Sequence, residues 1–411
     1  MSRGILIVAP YLPWPADFGG AIRIYEFVRH LALDNHVILL APAAPSDMAA
    51  IDHLRDVCDV TAVPVDWTFR QPAGIGKRLG QARSTISRSS FVELTSTDER
   101  FQAVMDRLFM TRHIDLVQYE FPQMARYRPL RPCPTILDNH NVEHELLSRV
   151  ARSAQSLPQR AFNNIEWRKV RRLEHDAWVN MTLNVATSAR DALQIQAVTG
   201  QPIPVIPNGV DLNVYSDTSR TGSVAGRVVF IGAMRHQPNA SGARWYAEHV
   251  HPLVVGAVPG ATFEIVGAEP PPSVAELERG SVTVTGRVES VVPHLEQAEV
   301  AVVPLDAGGG TRLKVLEAFA AGVPVVSTSV GAEGLDVEHG QHLLIADTPR
   351  EFADAVIRVL RGTELPSGYS TDRALALVRA HYDWKSAVVP ALIDAHDQAI
   401  QRFERNQGTS S

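Results

Sequence analysis

Three consecutive glycines, Gly308, Gly309 and Gly310, separate the apolar run at 300–304 from the segment Thr311, Arg312, Leu313, Lys314. Without side chains they let the backbone approach a ligand closely. A helix is expected to open at 311–313 and to run over 314–321, so its start offers unpaired N–H groups and the positive end of a dipole. Arg312 and Lys314 add two full cations at that same end. Like charge there weakens a helix unless an anion binds, and a diphosphate is the anion that such a site suits. Glu317, about one turn further on, falls on the same side and can accept hydrogen bonds from ribose hydroxyls. The same residues also read as a surface turn with Glu317 paired to Lys314. No GKS or GKT follows the glycines, which argues against a phosphate-loop NTPase.

A site of this kind needs a strand before the glycines and a helix after them, and the whole chain repeats that alternation. Short apolar runs predict strands over 5–9, 36–41, 114–118, 135–138, 183–187 and 204–206. Helical spacing predicts helices over 22–33, 48–57 and 159–180. The polar, patternless stretch 217–226 reads as a linker. Beyond it come strands over 228–231, 262–266, 282–285, 300–304 and 323–327, with helices over 240–249, 314–321, 349–360 and 382–403. The expected fold is α/β, with two Rossmann-like domains and a ligand cleft between them at the carboxyl ends of the strands. Their bounds are 1–210 and 211–385, with a helix over 386–411 packing back toward the first domain.

Composition narrows the classes. With 411 residues the chain is long enough for two cores, and 45% hydrophobic with 20% charged residues is ordinary globular usage. A net charge of −6 argues against a general nucleic-acid binder. No apolar run is long enough to cross a bilayer, and the start lacks a signal-peptide pattern, so a cytoplasmic protein is expected. Cys58 and Cys133 are far apart and outside any metal-ligand spacing, and both read as small buried hydrophobes in a reducing compartment. Two stretches are basic: 67–90, with Arg70, Lys77, Arg78, Arg83 and Arg88, and 149–172, with Arg168, Lys169, Arg171 and Arg172. They suit peripheral contact with an anionic membrane or acceptor, and equally a solvated helix face.

The segment GGGTRLKVLEAFAAGVPVVST at 308–328 resembles the donor site of the family 4 retaining glycosyltransferases, which have the GT-B fold. That family commonly carries two glutamates eight positions apart. Glu317 matches the second, which implies a hold on the donor's ribose, and Gly309 stands at the first, as in a subgroup with a GTRLK-type loop. Arg312 and Lys314 are then implied as the diphosphate pair, with Gly310, Thr311 and Leu313 around it. In FIGAMRHQPNASG at 230–242, Gly232 fits the family pattern, Arg235 is an additional cation and the usual lysine is missing. Gly19 and Gly20 resemble the N-terminal glycine loop, and PNGVD at 207–211 the start of the interdomain link. His140, in DNHNVEHE at 138–145, matches the histidine that faces the donor sugar, and GAEGL at 331–335 matches a second donor loop with Glu333 and Gly334. Ser188 resembles a family serine, and it reads equally well as an N-cap for the helix that follows.

The resemblance implies transfer of a sugar from a nucleotide-sugar donor to an acceptor hydroxyl with retention, without a metal or other cofactor; no DxD-type carboxylate pair stands in a suitable loop. The acceptor side is expected in loops 10–20, 67–90 and 119–123. Surface polysaccharide, lipid-linked and natural-product acceptors all stay open. A nucleotide-sugar epimerase of the same fold and a non-catalytic nucleotide-sugar-binding partner subunit are the alternatives.

Overall fold

The computed structural model describes residues 2–65, 75–96, 98–153, 156–216, 218, 220–307 and 312–408. It divides into two units, Met1–Ile206 with Val389–Ser411, and Pro207–Val388. The expected glycine-loop residues Gly308, Gly309, Gly310 and Thr311 lie outside the described residues, as do residues 67–74 of the first basic stretch.

The first unit is built on six strands, β1 (Gly4–Val8), β2 (His36–Ala43), β3 (Asp59–Pro64), β4 (Leu116–Glu120), β5 (Thr135–Asn139) and β6 (Leu183–Ala186). Their order is β3-β2-β1-β4-β5-β6, and every pair is parallel. β1, β4 and β5 are buried along their whole length; β1 is a continuous apolar run, as a strand covered on both faces requires, while β4 carries Gln118 and Glu120 and β5 carries Asp138 and Asn139. The strand order reverses between β1 and β4, which puts a topological switch point at their carboxyl ends. The final helix, Val389–Gly408, belongs to this unit and buries Leu392, Ala395, His396 and Ala399, a spacing that aligns them on one face.

The second unit repeats the plan with β7 (Arg227–Ile231), β8 (Thr262–Val266), β9 (Val282–Gly286), β10 (Val300–Val303), β11 (Val325–Ser327) and β12 (Leu344–Ile345). The order β12-β11-β10-β7-β8-β9, again parallel, places its switch point between β7 and β10.

Four expectations need correction. The stretch 217–226 is no linker: Val224 N donates to Gln297 O (2.9 Å), Gly226 N donates to the Glu299 carboxylate (2.6 Å), and the division between units falls at Ile206 and Pro207. The strand expected at 204–206 shrinks to one bridge between Ala186 and Val205, because Pro202, Pro204 and Pro207 have no N–H to extend a ladder. The helix expected over 240–249 is interrupted by a π-type turn at Tyr246–Val250, and the one expected over 382–403 opens with another at Trp384–Val388. A proline follows each turn, Pro252 and Pro390; it cannot donate to the preceding turn, and the widened winding accommodates it. Finally, only Cys133 is buried and Cys58 is half-buried, although burial pushes both thiols up to about 12 and keeps them protonated.

Candidate functional site

In the second unit the helix that follows the glycines is Leu313–Ala320. Its first turn carries no acidic residue, and Arg312, which precedes it, gives no side-chain cap. Arg312 is 6% exposed; its Nε and Nη2 donate to the Val330 carbonyl (3.3 and 3.0 Å), and Nη2 lies 3.9 Å from Glu333. The guanidinium is thereby fixed against the GAEGL turn, where Gly334 has φ 85°.

Lys314 is half-buried and its Nζ donates to Asn239 Oδ1 (2.5 Å), 4.9 Å from the centre of the Phe230 ring. Burial, and then the charge of Arg312, lower its pKa to about 7, against the opposing pull of Glu317. Gly232, at the end of β7, leaves room for this pair: a Cβ there would stand 2.7 Å from Asn239 Nδ2 and 3.1 Å from Lys314 Nζ. Glu317 is half-buried and accepts from the Tyr215 hydroxyl; burial raises its pKa, while Lys314 and Tyr215 pull it back. Arg235 is paired with Glu269 (2.9 Å), a carboxylate that Arg287 also approaches at 3.4 Å. Two cations thus converge on a helix start beside the switch point, and a glutamate sits one turn behind them.

A second polar cluster stands at the switch point of the first unit. The helix Gly19–Leu31 begins at the two glycines, and a Cβ on Gly20 would meet the Tyr11 hydroxyl at 2.4 Å and His140 Nδ1 at 3.4 Å. His140 follows β5, its Nε2 lies 2.7 Å from Glu120 and 3.5 Å from Asp138, and its ring packs on Phe121 with centroids 4.0 Å apart. Its backbone carbonyl accepts from Thr187 Oγ1 (3.0 Å). Asp138 takes two hydrogen bonds from Arg23, whose side chain is wholly buried (2.7 and 2.9 Å). Burial alone would raise the Asp138 pKa, but the Arg23 and His140 charges outweigh it and hold it below the usual carboxylate value. Glu120 moves the other way, raised by burial and by Asp138.

Glu120 also accepts from Gln118 Nε2 (2.6 Å), and Gln118 Oε1 accepts from His396 Nε2 on the final helix (2.7 Å). Burial lowers the His396 pKa to about 3, so the ring is neutral and donates. Glu120, Asp138 and His140 bring their ligand atoms within 4.8 Å of one another, close enough for a metal ion. Arg23, Gln118 and the His140 ring already satisfy those oxygens, so the cluster is an internal ion-pair and hydrogen-bond network.

Against this geometry, the family model described as glycosyl transferases group 1 matches residues 225–362. A solved structure of sucrose-phosphate synthase from Thermosynechococcus elongatus superposes over 100% of both chains at 17% identity with a TM-score of 0.64. Anabaena HepE in complex with UDP and glucose covers 96% of this chain and 99% of its own at 16% identity, TM-score 0.65. The fold is GT-B. Among curated sequences, an uncharacterized 44.6 kDa protein in the cps region of Klebsiella pneumoniae is 27% identical over 167 residues. That match spans 38% of this chain and 43% of the relative's length.

Within this GT-B chain the residues singled out from sequence form two groups, each in its own unit: Gly19, Gly20 and His140 in the first, Gly232, Arg235, Arg312, Leu313, Lys314, Glu317, Glu333 and Gly334 in the second. Ser188 is the N-cap of the helix Ala189–Thr199, its Oγ accepting from Asp191 N (3.1 Å). Sequence reading missed Tyr215 and Asn239, the partners of Glu317 and Lys314, and Arg23 with Glu120 around His140. Arg23 carried a signal: a cation directly before Ile24, inside the apolar stripe of a helix, is out of place unless a buried acid meets it. The other three carried none, because nothing local distinguishes them.

Proposed function

We propose that the chain is a retaining glycosyltransferase that moves a sugar from a nucleoside-diphosphate sugar to an acceptor hydroxyl, without a metal. The observation that carries this reading is the Arg312–Lys314 pair at an uncapped helix start, with Lys314 held at a pKa of about 7. An arrangement that depresses a lysine's charge gains when an anion enters, and a departing diphosphate supplies that charge as the glycosidic bond breaks. The match to group 1 glycosyl transferases covers this unit, and the HepE neighbour holds UDP and glucose.

Glu317, with Tyr215 behind it, takes the ribose hydroxyls, and His140 orients the transferred sugar. The acceptor hydroxyl attacks on the face that the diphosphate leaves and passes its proton to the departing phosphate. His140 is a positioning group in this scheme, since Glu120 holds its Nε2. The relative from a cps region favours surface-polysaccharide assembly as the setting of the reaction. Among the described residues no helix is long and apolar enough to cross a membrane. Arg168, Arg171 and Arg172 are exposed and suit peripheral contact with an anionic membrane from the cytoplasmic side, whereas Lys169 turns inward to the Ser84 carbonyl.

The test is a thermal-shift panel of UDP-, GDP- and ADP-linked sugars on the wild type, Arg312→Ala and Glu317→Ala, followed by turnover of a labelled donor. A shift with one nucleotide that both variants lose supports the donor site. No shift with a folded wild type overturns it, and epimerised or unconverted donor in the turnover assay overturns the transferase assignment.

A further inference from the structure

The first unit contains a cavity of about 260 Å³ that begins where the His140 cluster ends. Tyr11 and Phe121 belong to both, Phe121 stacking on His140 and the Tyr11 hydroxyl facing Gly20. Most of the lining is apolar, from Phe91, Val92, Leu147, Phe162, Val170 and Leu173. Two buried amides face this lining without a protein partner. Asn163 is 9% exposed and its Nδ2 makes no hydrogen bond, and Gln123, 6% exposed, makes none with the described residues. A fully buried amide nitrogen such as Asn163 Nδ2 left in that state is costly unless a ligand or water meets it.

Three carboxylates complete the wall, and two are fully engaged. Glu166 accepts from Ser84 Oγ and from Phe91 N (2.6 Å), and Glu174 accepts from the backbone N–H groups of Glu143 (2.7 Å) and His144 (3.1 Å) and from the His144 ring. Among the described residues the Glu143 carboxylate accepts one hydrogen bond, from Asn141 Nδ2 at 3.2 Å; burial and the charge of Glu174 raise its pKa to about 7. An anion meets three acids here, and a cation meets a mostly apolar lining with two carboxylates already occupied. A neutral molecule with an apolar body and hydroxyl or amide groups at one end satisfies every wall.

We propose that this cavity receives the acceptor, an uncharged amphiphile whose apolar part packs against Phe91, Leu147 and Leu173 while its polar end meets Gln123, Asn163 and Glu143. The proposal rests on the transferase reading for the word acceptor and on the cavity alone for the chemistry. The size falls just under the roughly 300–1,000 Å³ of ordinary small-molecule sites, so one fused ring system or a short chain fits.

The test is isothermal titration calorimetry of the full chain with 1-naphthol, 1-octanol, 1-naphthoate and glycerol. Saturable binding of either alcohol is expected, naphthol marking a ring-shaped and octanol a chain-like acceptor, with no heat from glycerol or naphthoate. Leu173→Trp, which fills the cavity, is expected to abolish binding, and Gln123→Leu to weaken it roughly tenfold by removing a hydrogen bond. Circular dichroism identifies a variant that has not folded, and the Gln123→Leu comparison then stands alone. Failure of both alcohols to bind folded wild type, equal binding in Leu173→Trp, or naphthoate binding as tightly as naphthol overturns the proposal. Loss of the nucleotide-sugar shift with alcohol binding intact removes the transferase reading and leaves the amphiphile site standing.

Discussion

The two units share a strand order and differ in how they handle charge at the switch point. In the first, the polar groups are paired: Arg23 on Asp138, and the His140 ring on Glu120. In the second, Arg312 and Lys314 stand side by side, and burial first, then the charge of Arg312, lowers the Lys314 pKa to about 7. A balanced buried network fixes geometry, because breaking any member leaves a charge stranded. An unbalanced one stores affinity for an ion from outside. The same topology thus carries a paired buried network in one copy and, in the proposed reading, an anion receptor in the other.

That contrast predicts opposite responses to mutation. Arg23→Met strands the Asp138 carboxylate and is expected to destabilise the first unit by about 3–5 kcal/mol, read by urea unfolding of the full chain. A loss within 1 kcal/mol would show that the network is not the structural element described. Lys314→Met should leave the unliganded melting temperature unchanged or higher, since it removes a poorly solvated cation, yet cut turnover roughly 100- to 1000-fold. If instead it melts early and turns over normally, the roles of the two clusters are reversed.

pH separates them further. Donor binding favours protonated Lys314, so affinity for a UDP-sugar is expected to fall as pH rises above about 7, by at most about tenfold per unit. Stability of the second unit runs the other way. Between the folded value of about 7 and the unfolded 10.5 the unfolded chain binds more protons at this lysine, so its contribution to stability rises with pH. Affinity measured by calorimetry that stays flat from pH 6.5 to 8.5 would remove Lys314 from the anion site. The smallest effect is expected for Tyr215→Phe, which takes one hydrogen bond from Glu317 and should weaken the donor by a few-fold to about tenfold.

Much of this was legible in the residues. Buried parallel strands announce themselves as short apolar runs, and the glycines ahead of Arg312 and Lys314 were enough to raise the expectation of an anion site. What escaped was the second layer. Asn239 lies 75 positions from Lys314, and Arg23 is 115 from Asp138, so their pairing is a product of topology and has no local pattern. Periodicity likewise joined 240–249 into one helix, because Tyr246 and Val250 keep their apolar spacing through the π-type turn ahead of Pro252. The stretch 217–226 misled for a different reason: its polar side chains hide the fact that its backbone is bound to Gln297 and Glu299.

The final helix has one more consequence. Gln118 and His396 are 278 positions apart, and their hydrogen bond leads through Glu120 to His140. During synthesis on the ribosome, all of the second unit emerges before the first can acquire its last piece. The nascent chain therefore passes through a period in which the second unit is complete and Gln118, which supports Glu120 behind His140, still lacks its His396 partner. Ordered assembly of this kind makes the last helix the step that finishes the first unit.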